Sequence, residues 1–275
     1  MLILIVKKEI KKVIEYIHSR PYSKNIIGYQ IANAMTEEWM TFDFNGSIGK
    51  RSREKFNQLV KENIYQDNEV EYHRYLNETV ANRICELSSY LKKLTNNKLI
   101  VGSFYGYCYY HTTWEFGHSA IKKILECKDI DFLCAPIGYW TNRNVGEPHP
   151  YMVPIKSILK HGKLFFSEND TRTDLSKFVF DNPNYKTPLW LGPNRELSLE
   201  ICKYHYAKAL CHSHSYWWFD LWGGWYNDKD YHELFSKLNT ISKEALNMDL
   251  TSKNEVAILC DEEAYYESNI NDRFA

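Results

Sequence analysis

The residues of most chemical interest lie in GKLFFSENDTRTD, 162–174, where Glu168, Asp170 and Arg172 follow an apolar run at every second position. If that run is a strand, alternate side chains share a face, so the spacing predicts all three charges pointing the same way. Ionisable groups crowded at the end of an apolar strand are costly to desolvate unless they pair or work. A guanidinium beside a carboxylate keeps it ionised, as a nucleophile requires. A second acidic site, Glu37/Glu38, precedes Trp39 in a loop with no Lys or Arg close in sequence. An apolar neighbour raises a carboxyl's pKa, as a proton donor requires. Two such carboxylates suit glycosidic-bond hydrolysis: one protonates the departing oxygen, and the other attacks the anomeric carbon or activates water. The same residues also fit plainer roles, a solvated loop pair at 37/38 and a structural ion network at 168, 170 and 172.

Other groups could line such a site. Tyr139, Arg143 and His149 follow a strand-like run and could hydrogen-bond sugar hydroxyls, with Tyr139 also placed to orient Glu168. Tyr105 and Tyr107 flank Gly106, which permits close backbone approach; each fits a pocket wall or the core. Trp217, Trp218, Trp222 and Trp225 surround Asp220, and Trp218 and Trp222 are the expected stacking surfaces for a sugar ring. His212 and His214 are two apart without a third ligand at a characteristic spacing, so neither a metal nor another cofactor is expected. His118, after Gly117 at a helix start, reads as a cap or a packing residue.

These groups need a scaffold, and the bulk properties suit a globular one. The chain has 275 residues, a formal net charge of −1 and no long basic run, so the electrostatic footprint of a nucleic-acid binder is missing. Aromatic residues are abundant: 21 Tyr, 13 Phe and 8 Trp, several in loops where a flat ligand could stack. The seven cysteines are scattered without a CxxC pair and read as reduced thiols. After Met1 only five apolar residues precede the first lysines, too few and in the wrong order for an export signal. No run approaches the ~20 apolar residues of a membrane span, so the default location is cytoplasmic.

Apolar spacing predicts helices at 5–19, 52–64 and 70–95, the last carrying a stripe from Tyr72 to Leu94. Strand-like runs fall at 26–32, 98–107, 129–139, 163–170 and 215–224, with helical patterns at 117–127, 154–161, 195–211 and 229–247. Alternation of apolar strands and amphipathic helices predicts α/β architecture with a parallel sheet. Polar and aromatic residues gather at the C-terminal end of each strand, where ligands bind in such folds. No GxGxxG or GxxxxGK[ST] loop supports a nucleotide site.

The segments GYQIANAMTEEW, FYGY, GHSAIKKILECKDIDFLCAP, GKLFFSENDTRT and WWFDLWGGWY, taken in order, resemble the family 42 glycoside hydrolases and their beta-galactosidase-like relatives. The resemblance covers roughly 8–265. It implies retaining hydrolysis of a glycoside or polysaccharide on a (β/α)8 TIM barrel, with the run at 26–32 as barrel strand four and those at 98, 129, 163 and 215 as strands five to eight. Glu168 then falls on the nucleophile and Glu38 on the acid/base, with Glu37 as the fallback. The relatives usually show Asn-Glu where this chain has Glu-Glu, and Asn33 is placed to supply the amide. The resemblance implies an N-terminally truncated barrel over 1–250 and, over 251–275, the start of a flavodoxin-like trimerisation domain. Either the chain cleaves sugars, or it is an inactive carbohydrate-binding remnant of such an enzyme.

Overall fold

The computed structural model describes residues 2–32, 38–39, 50–109, 117–139, 141–177, 183–250 and 256–267. Glu37 and Asn33 lie outside them. Five strands alternate with helices: α1 (Leu2–His18), β1 (Gly28–Ile31), α2 (Lys50–Lys61), α3 (Glu69–Leu94), β2 (Ile100–Phe104), α4 (Ile121–Glu126), β3 (Phe132–Pro136), α5 (Ile155–Lys160), β4 (Leu164–Asn169), α6 (Arg195–His212), β5 (Ser215–Trp218), α7 (Lys229–Ala245) and α8 (Ala264–Glu267). The sheet is parallel, in the order β1-β2-β3-β4-β5. Two compact units divide the chain. The first comprises 1–134, 157–163 and 259–275; the second comprises 135–156 and 164–258.

In the first unit, α3 forms where its stripe predicts. Asn68 caps it, its side chain accepting the Glu71 N–H at 2.9 Å. Glu69 and Glu71 sit in its first turn and Lys92 and Lys93 in its last, complementing the helix dipole. Tyr72 and Leu76 pack with Phe56 of α2. Gly28 of β1 registers with Ile100 of β2, and Gly102 of β2 with Phe132 of β3. After Glu255, within the span where the resemblance implies the start of a further domain, the chain has no regular structure over 256–261; Val256, Ile258 and Leu259 are exposed. Beyond it Tyr266 of α8 is buried, its hydroxyl donating to Ser119 O at 3.0 Å and its carbonyl meeting His73 Nδ1 at 2.6 Å.

In the second unit, β4 and β5 pair with Glu168 opposite Trp217 and Asn169 opposite Trp218. Tyr216 and Trp218 pack against the cluster of Cys202 and Tyr206 from α6 and Tyr231, Leu234 and Leu238 from α7. Alternation along the strands therefore puts Glu168 and Trp217 on the face away from α6 and α7. Both strands are shorter than their sequence runs. β5 stops at Trp218; Gly223 and Gly224 then adopt φ of 80° and 89°, and the Asp220 carboxylate accepts the Trp225 N–H at 3.1 Å, turning the chain instead. β4 stops at Asn169, so Asp170 and Arg172 belong to a loop, and the shared-face spacing read from the sequence holds only as far as Glu168.

Candidate functional site

Glu168 occupies the last turn of pleat in β4 and is buried, at 9% exposure. The loop that follows is fixed by charge. Arg143 is fully enclosed, and its Nη1 donates to Asp170 Oδ1 at 2.5 Å and to Thr171 Oγ1 at 3.0 Å. Its Nη2 donates to Ile137 O at 2.5 Å and its Nε to Gly138 O at 3.3 Å. A buried guanidinium is tolerated because a carboxylate and carbonyls replace its hydration. The other Asp170 oxygen accepts the Tyr139 hydroxyl at 3.2 Å. Burial first, then the Asp170 charge and more weakly that of Glu168, push the Tyr139 phenol far up, so it stays protonated and donating. Tyr139 thus stands in the field of both carboxylates.

Arg172 donates from Nη1 to Asp170 O at 2.8 Å and stacks over Trp225 at 4.7 Å and Trp190 at 5.4 Å. Its backbone N–H donates to Pro188 O at 3.0 Å. Thr173 Oγ1 donates to Trp225 O. Gly192 presses on this same loop: a Cβ built there would lie 1.8 Å from Thr173 O. Only glycine fits that approach.

The loop carrying Arg143 is itself held. Gly138 N–H donates to Pro150 O at 2.7 Å, and Arg143 and His149 adopt left-handed φ of 59° and 43°, strained for residues with a side chain. His149 Nε2 must donate to Asn144 O at 2.9 Å, which leaves Nδ1 to accept from His205 Nε2 at 2.8 Å. Burial lowers both histidines, and each is neutral near pH 7. His149 therefore braces the loop through α6.

The first unit carries the other candidate carboxylate. The Glu38–Trp39 segment is anchored by the Trp39 indole N–H, which donates to Ile31 O at 3.1 Å, and by His118, whose Nε2 meets Glu38 O at 2.5 Å. A carbonyl only accepts, so His118 carries its proton on Nε2. Its Nδ1 then accepts the N–H groups of Gly106 and Tyr107 at 3.1 and 3.3 Å. The ring stacks on Tyr105 with centroids 4.5 Å apart and meets Tyr107 edge-on at 5.4 Å. Burial pulls its pKa down to about 4. His118 is more than a cap: it ties the segment after β1 to the segment after β2.

The structure thus brings Tyr139, Arg143, Asp170 and Arg172 together behind Glu168, and Tyr107 to the His118 lock. It does not bring Trp218 to Glu168's face. Trp218 stacks on Phe235 at 4.7 Å among the helices, and Trp222 is 60% exposed beyond the strand. Trp217 shares the face of Glu168 instead, a parity the alternating pattern of 215–218 contains. His214 Nδ1 donates to its neighbour's carbonyl, Ser215 O, at 2.8 Å, which leaves Nε2 to accept the Tyr151 hydroxyl at 2.7 Å. Among the described residues no three His, Cys, Asp or Glu side chains are grouped to hold a metal. Among the same residues no helix is long and apolar enough to cross a membrane.

No family model, no curated protein and no solved structure matches this chain.

Proposed function

We propose that the chain is part of a retaining, beta-galactosidase-like glycoside hydrolase built on a (β/α)8 barrel, with Glu168 as nucleophile. The observation that carries this reading is the placement of Glu168. It is a buried carboxylate at the C-terminal end of a parallel strand, on the face turned away from the covering helices, with the Tyr139 phenol in its field. Ligands meet parallel α/β sheets at that end, and barrel enzymes place their reacting groups there. Sequential strand order with intervening helices also suits part of a barrel. In the same proposal 251–275 opens the flavodoxin-like domain of a trimeric full-length protein.

In this mechanism a Glu168 oxygen attacks the anomeric carbon as the glycosidic C–O bond breaks, giving a glycosyl ester. The resemblance assigns to Glu38 the proton given to the departing oxygen. Glu38 then takes a proton from water, which attacks the ester and frees Glu168. Arg143 and Asp170 act behind the reaction by holding Tyr139 and the loop after β4.

A 2-deoxy-2-fluoroglycoside with an activated leaving group tests the assignment. The expected result is a covalent sugar on the peptide containing Glu168, with no label and no turnover in Glu168→Gln. Labelling of another carboxylate, or normal hydrolysis by Glu168→Gln, rejects it. Sugar binding by the 275-residue chain without label or turnover favours the carbohydrate-binding remnant instead.

A further inference from the structure

Away from the candidate site, residues 261–267 dock on the first unit as a discrete clasp. Asp261 opens it, its carboxylate accepting the Glu263 N–H at 3.0 Å. The Glu262 carboxylate accepts the Lys122 N–H at 2.9 Å. Glu263 is held by the Arg74 guanidinium, whose Nη1 donates to Oε1 at 2.8 Å. Tyr266 turns inward and is 2% exposed, its hydroxyl on Ser119 O and its ring 5.4 Å from the Arg74 guanidinium carbon. A carbonyl only accepts, so His73 Nδ1 donates to Tyr266 O. The receiving groups sit on α3 and on the stretch 119–122 that enters α4.

The stretch that delivers the clasp is unlike it. The boundary between the two units falls between Ile258 and Leu259. Around that boundary Val256, Ile258 and Leu259 are 81%, 87% and 93% exposed, and no regular structure holds them. Leu246 and Met248, just after α7, are exposed as well. A β-branched and apolar run such as VAILC suits a paired strand, and left unpaired it is a template for another chain. A well-bonded terminal element therefore hangs on an apolar connector that faces water.

We propose that this clasp is exchanged between two copies of the chain, each copy's residues 261–267 seating on α3 and α4 of the other. Exchange keeps every clasp bond, because the second copy offers the same receiving groups. What favours the pair is the connector. Its two copies cross where the clasps change over, pair as strands there and cover each other's Ile258 and Leu259. What opposes it is the freedom lost when two chains associate. The receiving surface selects a second copy because its chemistry already matches this segment: a guanidinium for Glu263, a backbone N–H for Glu262 and a carbonyl for the Tyr266 hydroxyl. The inference stands apart from the glycosidase reading, since neither Glu168 nor the loop behind it takes part.

The experiment mixes full-length chains grown in ordinary and in heavy-nitrogen medium, unfolds them together in urea, refolds them and measures their mass by light scattering. A carbodiimide then joins carboxylates to adjacent amines. Lys122 is exposed and its backbone holds Glu262, so its amine is the expected partner. The expected result is a dimer in which Lys122–Glu262 links between an ordinary and a heavy peptide are as frequent as links within one isotope. A monomer at every concentration tried overturns the proposal, as does a dimer whose links never mix isotopes. Ile258→Lys combined with Leu259→Lys alters exposed positions, so the chain still folds and the clasp closes within one copy. That variant should dimerise about a hundredfold more weakly, and an undiminished dimer overturns the proposal too. The wild-type measurement needs no variant to fold and does not depend on any glycosidase activity.

Discussion

Two strand ends in this molecule are fixed by opposite means. After β4 the chain is held by a buried ion pair, Arg143 with Asp170, both almost wholly enclosed. After β1 it is held by a neutral imidazole, His118, and an indole N–H, with no charge in the lock. A buried ion pair is worth little over an apolar replacement but is severe to break from one side, because the remaining charge stays buried. A neutral imidazole costs little near pH 7 and becomes a liability when the solution offers it a proton. The first lock is therefore sensitive to deletion, and the second to acid.

The largest effect that separates them is expected from Arg143→Met. It removes the closer of Asp170's two guanidinium partners, leaving Arg172 Nη1 at 3.9 Å, and should lower unfolding free energy by about 3 kcal/mol, read from urea melts at pH 7. A loss below about 1 kcal/mol would mean that Asp170 is solvated and the ion-pair description wrong. Next comes pH. His118 titrates near 4 in the folded chain and near 6.5 unfolded, so between those values the unfolded chain binds more protons. Stability is then full above about pH 6.5 and falls as pH drops; His118 alone should remove roughly 2 kcal/mol by pH 5. Burial lowers His149, His205 and His214 as well, which steepens the same slope. In His118→Asn the slope between pH 6.5 and 5 should flatten by that amount, and an unchanged slope would remove His118 from the acid response. The smallest effect is expected from Trp39→Phe, which keeps the ring but deletes the N–H to Ile31 O. Because Ser103 Oγ donates to that same carbonyl at 3.2 Å, the loss should be about 1 kcal/mol, the worth of one hydrogen bond.

The sequence exposed the scaffold better than the locks. The stripe on α3 and the parallel α/β pattern were legible because they are periodic and long. The span of β5 was not: SYWWFDLWGG reads as one apolar run, but strand pairing ends where Gly223, Gly224 and the Asp220 bond turn the chain. The acidic stretch at 168–172 declared its chemistry by residue type. Its partner did not, because Arg143 lies 27 residues earlier and nothing local marks it as enclosed rather than facing a ligand. Trp218 was singled out as a stacking surface by composition, whereas strand parity puts it among the helices and leaves Trp217 with Glu168. His118 read as a cap or a packing residue, and it does pack on Tyr105, but its partners at Glu38 and Gly106 are visible only once the segments after β1 and β2 are folded.

The separation of 27 positions from Arg143 to Asp170 also sets an order of events at the ribosome. At about 5–20 residues per second, the guanidinium is synthesised roughly 1–5 s before the carboxylate it will join. During that interval the segment from Ile137 to Pro150 has no counter-ion to close on and remains hydrated. Its strained turns at 143 and 149 can set only after β4 has been made. Nascent chains arrested before and after position 170 should differ in how readily a protease cuts this segment.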